Sequence, residues 1–169
     1  MIAVEVSVEA PWPDGDWEEL ADKAVRAALE RTPYGELAEL DATVEVSVRL
    51  TSDDEVHTLN RQYRQKDKPT NVLSFPMVQP DLLPSLANSD DGEILLGDIA
   101  LAHETCAREA EERGVTLEAH AAHLIVHGTL HLLGHDHMNE AEAEAMEAIE
   151  RDAMAALGLH DPYAIEGDQ

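Results

Sequence analysis

The sequence predicts an α+β domain in which a single mixed four-stranded sheet packs with about five helices. Four short segments are either apolar at every second position or continuously apolar, as strands are. Five longer segments carry apolar residues at helical spacing and are bounded by capping residues or by glycine. The two kinds of segment follow one another in mixed order, and 169 residues are enough to bury one hydrophobic core.

The first strands and the first helix are recognised by their periodicity. Residues 2–8 and 43–48 alternate apolar and polar side chains, the pattern of a strand with one face in water. Between them, Asp14 or Asp16 is placed to cap a helix. The apolar face of that helix consists of Trp17, Leu20, Ala21, Ala24 and Ala28.

The second helix begins with a capping-box pattern. Ser52 is followed three residues later by Glu55, so the serine side chain can bond a backbone N–H of the first turn. We expect the helix to end before Lys68-Pro69, because the residue before a proline avoids the helical conformation. Its apolar positions are Val56, Leu59 and Tyr63.

Two further strands flank a long irregular segment. Residues 72–75 form a short apolar run that Pro76 ends, and residues 94–99 form the fourth predicted strand. The segment between them, residues 76–93, is rich in Pro and Asp. Loops of this length are usually mobile or functional.

Three helices complete the predicted domain. They run from about residue 102 to 113, ending at Gly114; from the cap Thr116 to Leu133, ending at Gly134; and from about residue 140 to 157, ending at Gly158. The last helix has an apolar stripe and six acidic residues between positions 140 and 152, which we interpret as a solvated face. We expect the domain to cover residues 1–160 and a loose tail to cover residues 161–169. The apolar stripe consists of Met146, Ile149, Ala153 and Leu157.

The chain is strongly acidic, and its few basic residues are clustered. Asp and Glu number 36 and Lys and Arg number 11, which gives a formal net charge of −25. This charge excludes indiscriminate coating of nucleic acid, which needs Lys and Arg against phosphate, and it disfavours anionic membranes. A polyanion, if one binds, should bind where four of the eleven basic residues lie within eight positions. These are Arg61, Arg64, Lys66 and Lys68.

The single cysteine, Cys106, excludes an intramolecular disulfide and a cysteine-based zinc ribbon. We interpret it as a small buried helix residue rather than a nucleophile. Met1 leads directly into the first strand segment, without the basic and apolar regions of a secretory leader. No apolar run approaches the ~18 residues of a membrane helix. We therefore expect a cytoplasmic protein without a membrane partner.

The segment from His127 to His137 carries the pattern H-x3-H-x2-G-x2-H. His127 and His131 are four residues apart, about 40° around a helix, so both side chains point the same way and can hold one ion. Gly134 can adopt the left-handed conformation that reverses the chain, which brings His137 to the same ion. Three neutral imidazoles suit zinc and leave a fourth position for water, as in catalytic sites. The sequence therefore predicts a metal site on a central helix and the turn that follows it.

The alternative interpretation of the same segment is a histidine-rich helix packed in the core. The spacing matches the metzincin proteases, but Gly128 stands where those enzymes carry their general base, which disfavours peptide hydrolysis. Gly128 indicates close approach of a substrate or another backbone, or else tight helix packing. His123 precedes His127 by one turn. Because a straight helix does not wrap three turns around one ion, we interpret His123 either as a residue that contacts a metal ligand without binding the ion or as a packing residue. Asp136 orients an imidazole or caps the turn. Four other histidines are interpreted as surface or packing residues: His57, His103, His120 and His160.

Three motifs in this order resemble those of the YbeY-type endoribonucleases, the bacterial rRNA maturation factors. They are Asn60–Pro76, Gly97-Asp98-Ile99 and His127–His137, the last of which is similar to the family signature HGxLHLxGxDH. Together they span about half the chain, and their combination is highly specific. The family commonly has Tyr at the position of His135.

The resemblance implies a zinc-dependent, single-strand-specific endoribonuclease that acts in maturation of the 16S rRNA 3′ end and in ribosome quality control. It implies one Zn²⁺ on His127, His131 and His137, and a catalytic role for Arg64. It also implies as partners a single-stranded rRNA precursor, the small ribosomal subunit with one of its proteins, and an Era-type GTPase.

Phosphodiester cleavage suggests tasks for the other polar residues. Negative charge grows on the phosphate in the transition state, and the planar guanidinium of Arg64 suits its oxygens. Arg61, Lys66 and Lys68 would bind neighbouring phosphates, or else lie in a solvated loop. Asp98 lies at the end of the fourth predicted strand. It either contacts the metal ligands without binding the ion or caps the following helix.

Two other functions stay open on the sequence. One is another zinc hydrolase, such as a divergent peptidase, and the other is a ribosome-assembly factor whose zinc is mainly structural. The open fourth position argues against the latter, since structural zinc usually has four protein ligands. Whether water or the RNA 2′-OH attacks, which metal is bound in the cell, where the RNA is cut and the oligomeric state are left open.

Overall fold

Within residues 2–32, 43–65, 70–78, 93–135 and 139–163, which the computed structural model describes, the chain forms four strands and five helices. Each lies within a few residues of its predicted position. The predicted α+β class, with one mixed four-stranded sheet and about five helices, is confirmed. The elements are β1 (Ile2–Val8), α1 (Trp17–Glu30), β2 (Thr43–Thr51), α2 (Asp53–Arg64), β3 (Val72–Pro76), β4 (Glu93–Ala102), α3 (His103–Arg113), α4 (Leu117–Leu132) and α5 (Glu140–Ala156).

The strands form one sheet in the order β1-β2-β4-β3. The first three in this order run parallel, whereas β3 pairs antiparallel with β4 and forms an edge. The pairing of β2 with β4 shifts by one residue, because Glu45 is opposite Leu95 while Val46 is opposite Gly97. This bulge adds one residue to β4 and makes its side chains change face at that point.

One face of the sheet packs against α1 and α4 and forms the main core. Alternate residues of β2 are buried there, as the two-residue period predicts. Helix α5 packs against both α1 and α4, so its buried side chains meet those helices rather than the sheet. The buried residues of β2 are Val44, Val46, Val48 and Leu50.

Two glycines allow α4 to approach the sheet closely. A Cβ atom on Gly97 would lie 2.5 Å from a methyl group of Leu132 and 2.6 Å from the carbonyl oxygen of Phe75. A Cβ atom on Gly128 would lie 3.0 Å from the Cγ2 methyl of Ile99. The helix glycine is therefore explained by tight packing of α4 on β4, one of the interpretations that the sequence allowed.

Helix α2 covers part of the opposite face of the sheet. Val56 is fully buried against Leu73 and Ala100, and Leu59 packs partly against them. Tyr63 was predicted on the same apolar stripe, but it is 68% exposed. The last turn of α2 therefore extends beyond the part of the sheet that it covers.

The helix starts confirm two predicted caps and correct a third. The Ser52 hydroxyl accepts from the backbone N–H of Glu55, and that of Thr116 accepts from the N–H of Ala119. Asp16 occupies the N-cap position of α1 but makes no side-chain capping bond. The turn after α4 contains Gly134 in the predicted left-handed conformation, with a φ of 91°.

The described chain ends on the surface of α5. Of the expected tail, residues 161–163 lie within the described part: Pro162 is buried and the Tyr163 hydroxyl bonds to α5. The remainder, residues 164–169, lies outside it. None of the described helices is long and apolar enough to span a bilayer.

Candidate metal centre

His127 and His131 face each other on consecutive turns of α4. Their Nε2 atoms are 3.0 Å apart, and their ring centroids are separated by 4.6 Å. The His127 side chain is 24% exposed and His131 is partly exposed, so the pair borders solvent. The four-residue spacing therefore does what the sequence predicts: it brings two imidazole nitrogens together at the protein surface.

The chemistry and spacing of this pair fit a zinc ion. Two imidazole nitrogens, each about 2.0–2.1 Å from one ion, can lie at the observed separation. Without an ion, the contact needs a proton on one Nε2 that is donated to the other. Within the described ranges no group of three or more His, Cys, Asp or Glu side chains could hold a metal. His137, the third predicted ligand, and Asp136 lie outside those ranges.

A buried carboxylate lies behind the histidine pair. Glu150, on α5, has a side chain that is only 1% exposed. Its Oε1 atom is 3.2 Å from Nδ1 of His127. An ionised carboxylate can only accept hydrogen bonds, so the neutral imidazole of His127 carries its proton on Nδ1 and has its lone pair on Nε2. That is the state in which imidazole binds a metal.

His123 and Tyr163 bind the same carboxylate. Nε2 of His123 lies 2.7 Å from Oε1 of Glu150, and the Tyr163 hydroxyl donates to both carboxylate oxygens at 3.0 Å. The His123 ring centroid is 6.4 Å from that of His127. The structure thus places His123 behind the pair through Glu150; its predicted supporting role stays a prediction.

The charges of these groups follow from burial and hydrogen bonding. Burial acts to raise the pKa of Glu150, but the hydrogen bonds and charges of His123 and His127 outweigh it and lower the pKa to about 2. Burial, followed by the charge of Glu150, raises the pKa of Tyr163. Burial lowers the pKa of His135, which lies just beyond α4. The carboxylate is therefore ionised and the phenol neutral at neutral pH.

Glu150 and Tyr163 were missed by the sequence analysis. Glu150 was counted among six acids of a solvated face, which is wrong for this residue. Its position held a signal: it lies four residues after Met146 and three before Ala153, on the buried stripe of α5. An acid on an apolar stripe needs partners, and here they come from α4.

The structure describes the basic cluster in part. Arg61 is exposed on α2, and Arg64 is the last residue of that helix, with its side chain outside the described part. Lys66 and Lys68 also lie outside it. The predicted roles of these residues stay predictions.

Asp98 does not lie with the histidines. It is inside β4 rather than at its end, and it cannot cap α3 because the N-cap position is Ala102. Its neighbours Gly97 and Ile99 contact α4, so Asp98 projects from the opposite face of the strand. There it lines a groove of about 580 Å³, together with Glu5, Arg49 and Tyr63. The predicted capping role is therefore wrong, whereas the predicted support of the metal ligands stays a prediction.

A second buried network joins α4 to α3 and to the start of β3. Nε2 of His120 lies 2.8 Å from Oε1 of Glu109, and the Asn71 side chain donates to the same oxygen at 2.9 Å. Burial acts to raise the pKa of Glu109, but the hydrogen bonds from Asn71 and His120 outweigh it and lower the pKa. Burial lowers the pKa of His120. The residues just before β3, next to the basic cluster, are thereby tied to the histidine helix.

The chain is similar over nearly its whole length to proteins of one family. The family model described as Endoribonuclease YbeY matches residues 8–158. A protein of Rhizorhabdus wittichii named Endoribonuclease YbeY is 64% identical over 169 residues, which are 99% of this chain and 100% of that protein. One of Sphingopyxis alaskensis with the same name is 65% identical over 165 residues, 97% of this chain and 98% of that protein. The solution structure of TM1509 from Thermotoga maritima is similar in fold: the TM-score is 0.54 and the identity 24%, over 96% of this chain and 100% of that chain.

Proposed function

Because the chain belongs to the YbeY endoribonuclease family, we propose that it is a zinc-dependent, single-strand-specific endoribonuclease of the cytoplasm. We place its work in maturation of the 16S rRNA 3′ end and in ribosome quality control. Residues 1–160 form the metal-dependent nuclease domain in this proposal. Family membership supports a nuclease and an RNA substrate, and the histidine pair supports the metal.

The proposed ligands of one Zn²⁺ are His127, His131 and His137. The observation that carries this proposal is the 3.0 Å separation of the Nε2 atoms of the first two. Glu150 adds support, because its carboxylate leaves the His127 lone pair on the atom that faces His131. A bound zinc ion supplies Lewis-acid chemistry for cleavage of a phosphodiester.

In this proposal the basic cluster binds the phosphates of the RNA and stabilises the transition state. Arg64 binds the oxygens of the scissile phosphate and stabilises the charge that grows there in the transition state. Arg61, Lys66 and Lys68 bind the neighbouring phosphates and hold the strand in register. Asp136 orients a ligand imidazole. The exposure of Arg61 near the end of α2 supports this assignment, because a phosphate can reach it.

The net charge of −25 suits delivery by the ribosome. An acidic surface is attracted to basic ribosomal proteins, which steers docking while it disfavours RNA elsewhere on the protein. The proposed partners are accordingly the small ribosomal subunit, one of its proteins and an Era-type GTPase. On this proposal, free RNA is a poor substrate compared with RNA in a ribosomal particle.

The proposal is tested with the full-length protein, its zinc content and three substrates. Single-stranded RNA, duplex RNA and a peptide are incubated with wild type, with and without a chelator. We expect chelator-sensitive cleavage of single-stranded RNA alone. His131→Ala should lower both the zinc content and cleavage at least about 100-fold, with the circular dichroism spectrum retained. His57→Ala, a histidine replacement on α2, is the matched control and should change neither.

Each alternative function predicts a different outcome. Cleavage of the peptide would identify another zinc hydrolase. Loss of the fold on removal of zinc, without RNA cleavage in its presence, would identify a structural zinc site. Undiminished RNA cleavage by His131→Ala would contradict the metal assignment.

A further inference from the structure

We propose that Glu150 is a positioning residue of the metal centre, which selects the metal-binding tautomer of His127 and is itself held by His123 and Tyr163. The inference rests on the proposed function in one respect: it takes a metal ion to be the ligand of the histidine pair. It assigns a function to α5 and to the residues that follow it.

The first step is the selection of the His127 tautomer. Oε1 of Glu150 is 3.2 Å from Nδ1 of His127, whereas Nε2 of His127 is 3.0 Å from Nε2 of His131. The two ring nitrogens therefore face a carboxylate on one side and the partner imidazole on the other. A carboxylate accepts but does not donate, which keeps the proton on Nδ1 and the lone pair on Nε2.

His123, which precedes His127 by one turn of α4, binds the same carboxylate. Its Nε2 atom donates to the same carboxylate oxygen at 2.7 Å. That bond holds the carboxylate with a second imidazole, and it leaves Nδ1 of His123 as a buried acceptor without a hydrogen-bond partner among the described residues. Glu150 therefore contacts two histidines of one helix, of which His127 also faces His131.

The third step is the role of Tyr163. Its hydroxyl donates to both oxygens of Glu150 at 3.0 Å. Its ring lies edge-on to His123, with centroids 5.6 Å apart, and the Arg151 guanidinium lies 5.5 Å from its centroid. These contacts fix the phenol, which in turn holds both oxygens of the carboxylate. The start of the expected tail is thus part of the metal centre.

Partners of this kind have a measurable effect on metal binding. Carboxylates that accept the second N–H of a ligand histidine raise its basicity and fix its ring, and their loss typically weakens metal affinity about 10–100-fold. The Glu150 carboxylate is fully buried with three donors on it. Glutamine in its place removes the negative charge that attracts these donors, has one acceptor oxygen instead of two, and places an NH₂ group against the Tyr163 hydroxyl when that oxygen faces the histidines.

The test measures zinc affinity of the full-length protein by competition with a chromophoric chelator, alongside thermal unfolding of the zinc-free protein. Glu150→Gln should weaken zinc binding about 10–100-fold. Tyr163→Phe keeps the carboxylate and should weaken zinc binding less, by several fold. Glu144→Gln, at an exposed position of α5 outside this network, is the matched control and should bind zinc as wild type does.

A second readout uses the zinc-free protein. Long-range ¹H–¹⁵N spectra of the histidine rings report which nitrogen carries the proton. In wild type, we expect His127 protonated on Nδ1 and His123 on Nε2, and in Glu150→Gln a shift of His127 towards the other tautomer. A merely structural role would lower the unfolding temperature without moving the tautomer.

The outcomes separate this inference from the proposed function. Wild-type zinc affinity in Glu150→Gln, or His127 protonated on Nε2 in the wild type, would overturn the inference. If Glu150→Gln does not fold, Tyr163→Phe decides: unchanged affinity and unchanged ring spectra would overturn it. Failure of the wild type to bind zinc would overturn the proposed metal, whereas the tautomers of the zinc-free protein would still decide the role of Glu150.

Discussion

Cys106 illustrates how its surroundings determine the chemistry of a single residue. It is fully buried on α3. Burial, followed by the charges of Glu109 and Asp53, raises the pKa of its thiol to about 12. Because the thiolate is the nucleophile, we expect the native protein to react with iodoacetamide at pH 8 at least about 100-fold more slowly than the urea-unfolded chain. Mass spectrometry of timed samples measures both rates.

The unfolded chain is the control for this labelling, since it contains the same thiol without burial. Native labelling at the unfolded rate would contradict the buried, protonated thiol. The expected result agrees with the sequence interpretation of Cys106 as a small packing residue.

At the residue scale, the sequence predicts the pairing of His127 and His131 better than it predicts the groups that contact the pair. The spacing of His127 and His131 alone places both side chains on one side of a helix. Glu150 is different, because its place on the apolar stripe of α5 indicates burial but not which groups bind its carboxylate. Its partners lie 23 and 27 residues away in the chain, beyond the reach of local patterns.

At the scale of elements, the starts of α2 and α3 bind each other. The Asp53 carboxylate accepts from the backbone N–H of Thr105 at 2.9 Å and from its hydroxyl at 2.8 Å. In return, the Asp53 N–H donates to Glu104 at 3.1 Å. This junction sets the position of the helix that ends at Arg64.

Replacement of Asp53 tests that junction. Asp53→Asn leaves one acceptor oxygen for the two Thr105 donors, so we expect it to lower the free energy of unfolding by about 1–2 kcal/mol. Asp54→Asn removes the same charge from the same helical turn, where the side chain is exposed and the helix dipole acts similarly. Urea unfolding measures both, and equal losses would contradict a specific bond between the helices.

Local patterns predict the elements but not all of their surroundings. The two-residue alternation of β2 and the caps Ser52 and Thr116 are local, and the structure confirms them. The order β1-β2-β4-β3 is not local, since it depends on how the helices cross the sheet. Asp98 was therefore assigned to the end of a strand near the metal, whereas β4 continues to Ala102 and turns Asp98 to the other face.

At the scale of the whole molecule, the network of Glu109 and His120 links stability to pH. The pKa of Glu109 is lowered from 4.5, and that of His120 from 6.5. In both cases the unfolded chain binds a proton at a higher pH than the folded protein does. Their contributions are thus fully present above about pH 6.5 and are lost as the pH falls, first for His120 and then for Glu109.

A variant isolates this effect from the general repulsion among acidic residues. At pH 7.5, Glu109→Gln should unfold with a free energy about 1–2 kcal/mol lower than wild type, since a charged acceptor is lost. The difference should shrink only as the pH falls well below 4.5, because the lowered pKa keeps Glu109 ionised in the folded wild type until then. Glu111→Gln, exposed on the same helix, should differ little from wild type throughout. A gap for Glu109→Gln that stays constant as the pH falls from 7.5 to well below 4.5 would contradict the linkage.

The net charge of −25 must also be reconciled with an RNA substrate. Binding confined to one small basic cluster, on an otherwise repulsive surface, should be weak and steeply dependent on salt. For single strands, log K falls by about 0.7 per tenfold rise in salt for each phosphate neutralised. Arg61→Ala should therefore lower the affinity for single-stranded RNA and reduce the slope by about 0.7.

Arg108→Ala is the matched control. Arg108 is exposed on α3, where its Nε atom lies 3.9 Å from a carboxylate oxygen of Glu112. The variant therefore removes the same charge outside the basic cluster. Fluorescence anisotropy of a labelled oligonucleotide from 50 to 300 mM KCl measures both slopes. Equal slopes for the two variants would show that the total charge alone determines the salt dependence of binding. A wild-type affinity that is independent of salt would exclude binding of RNA to the basic cluster. A change of slope in Arg61→Ala alone would locate the RNA at the end of α2 despite the acidity of the rest of the surface.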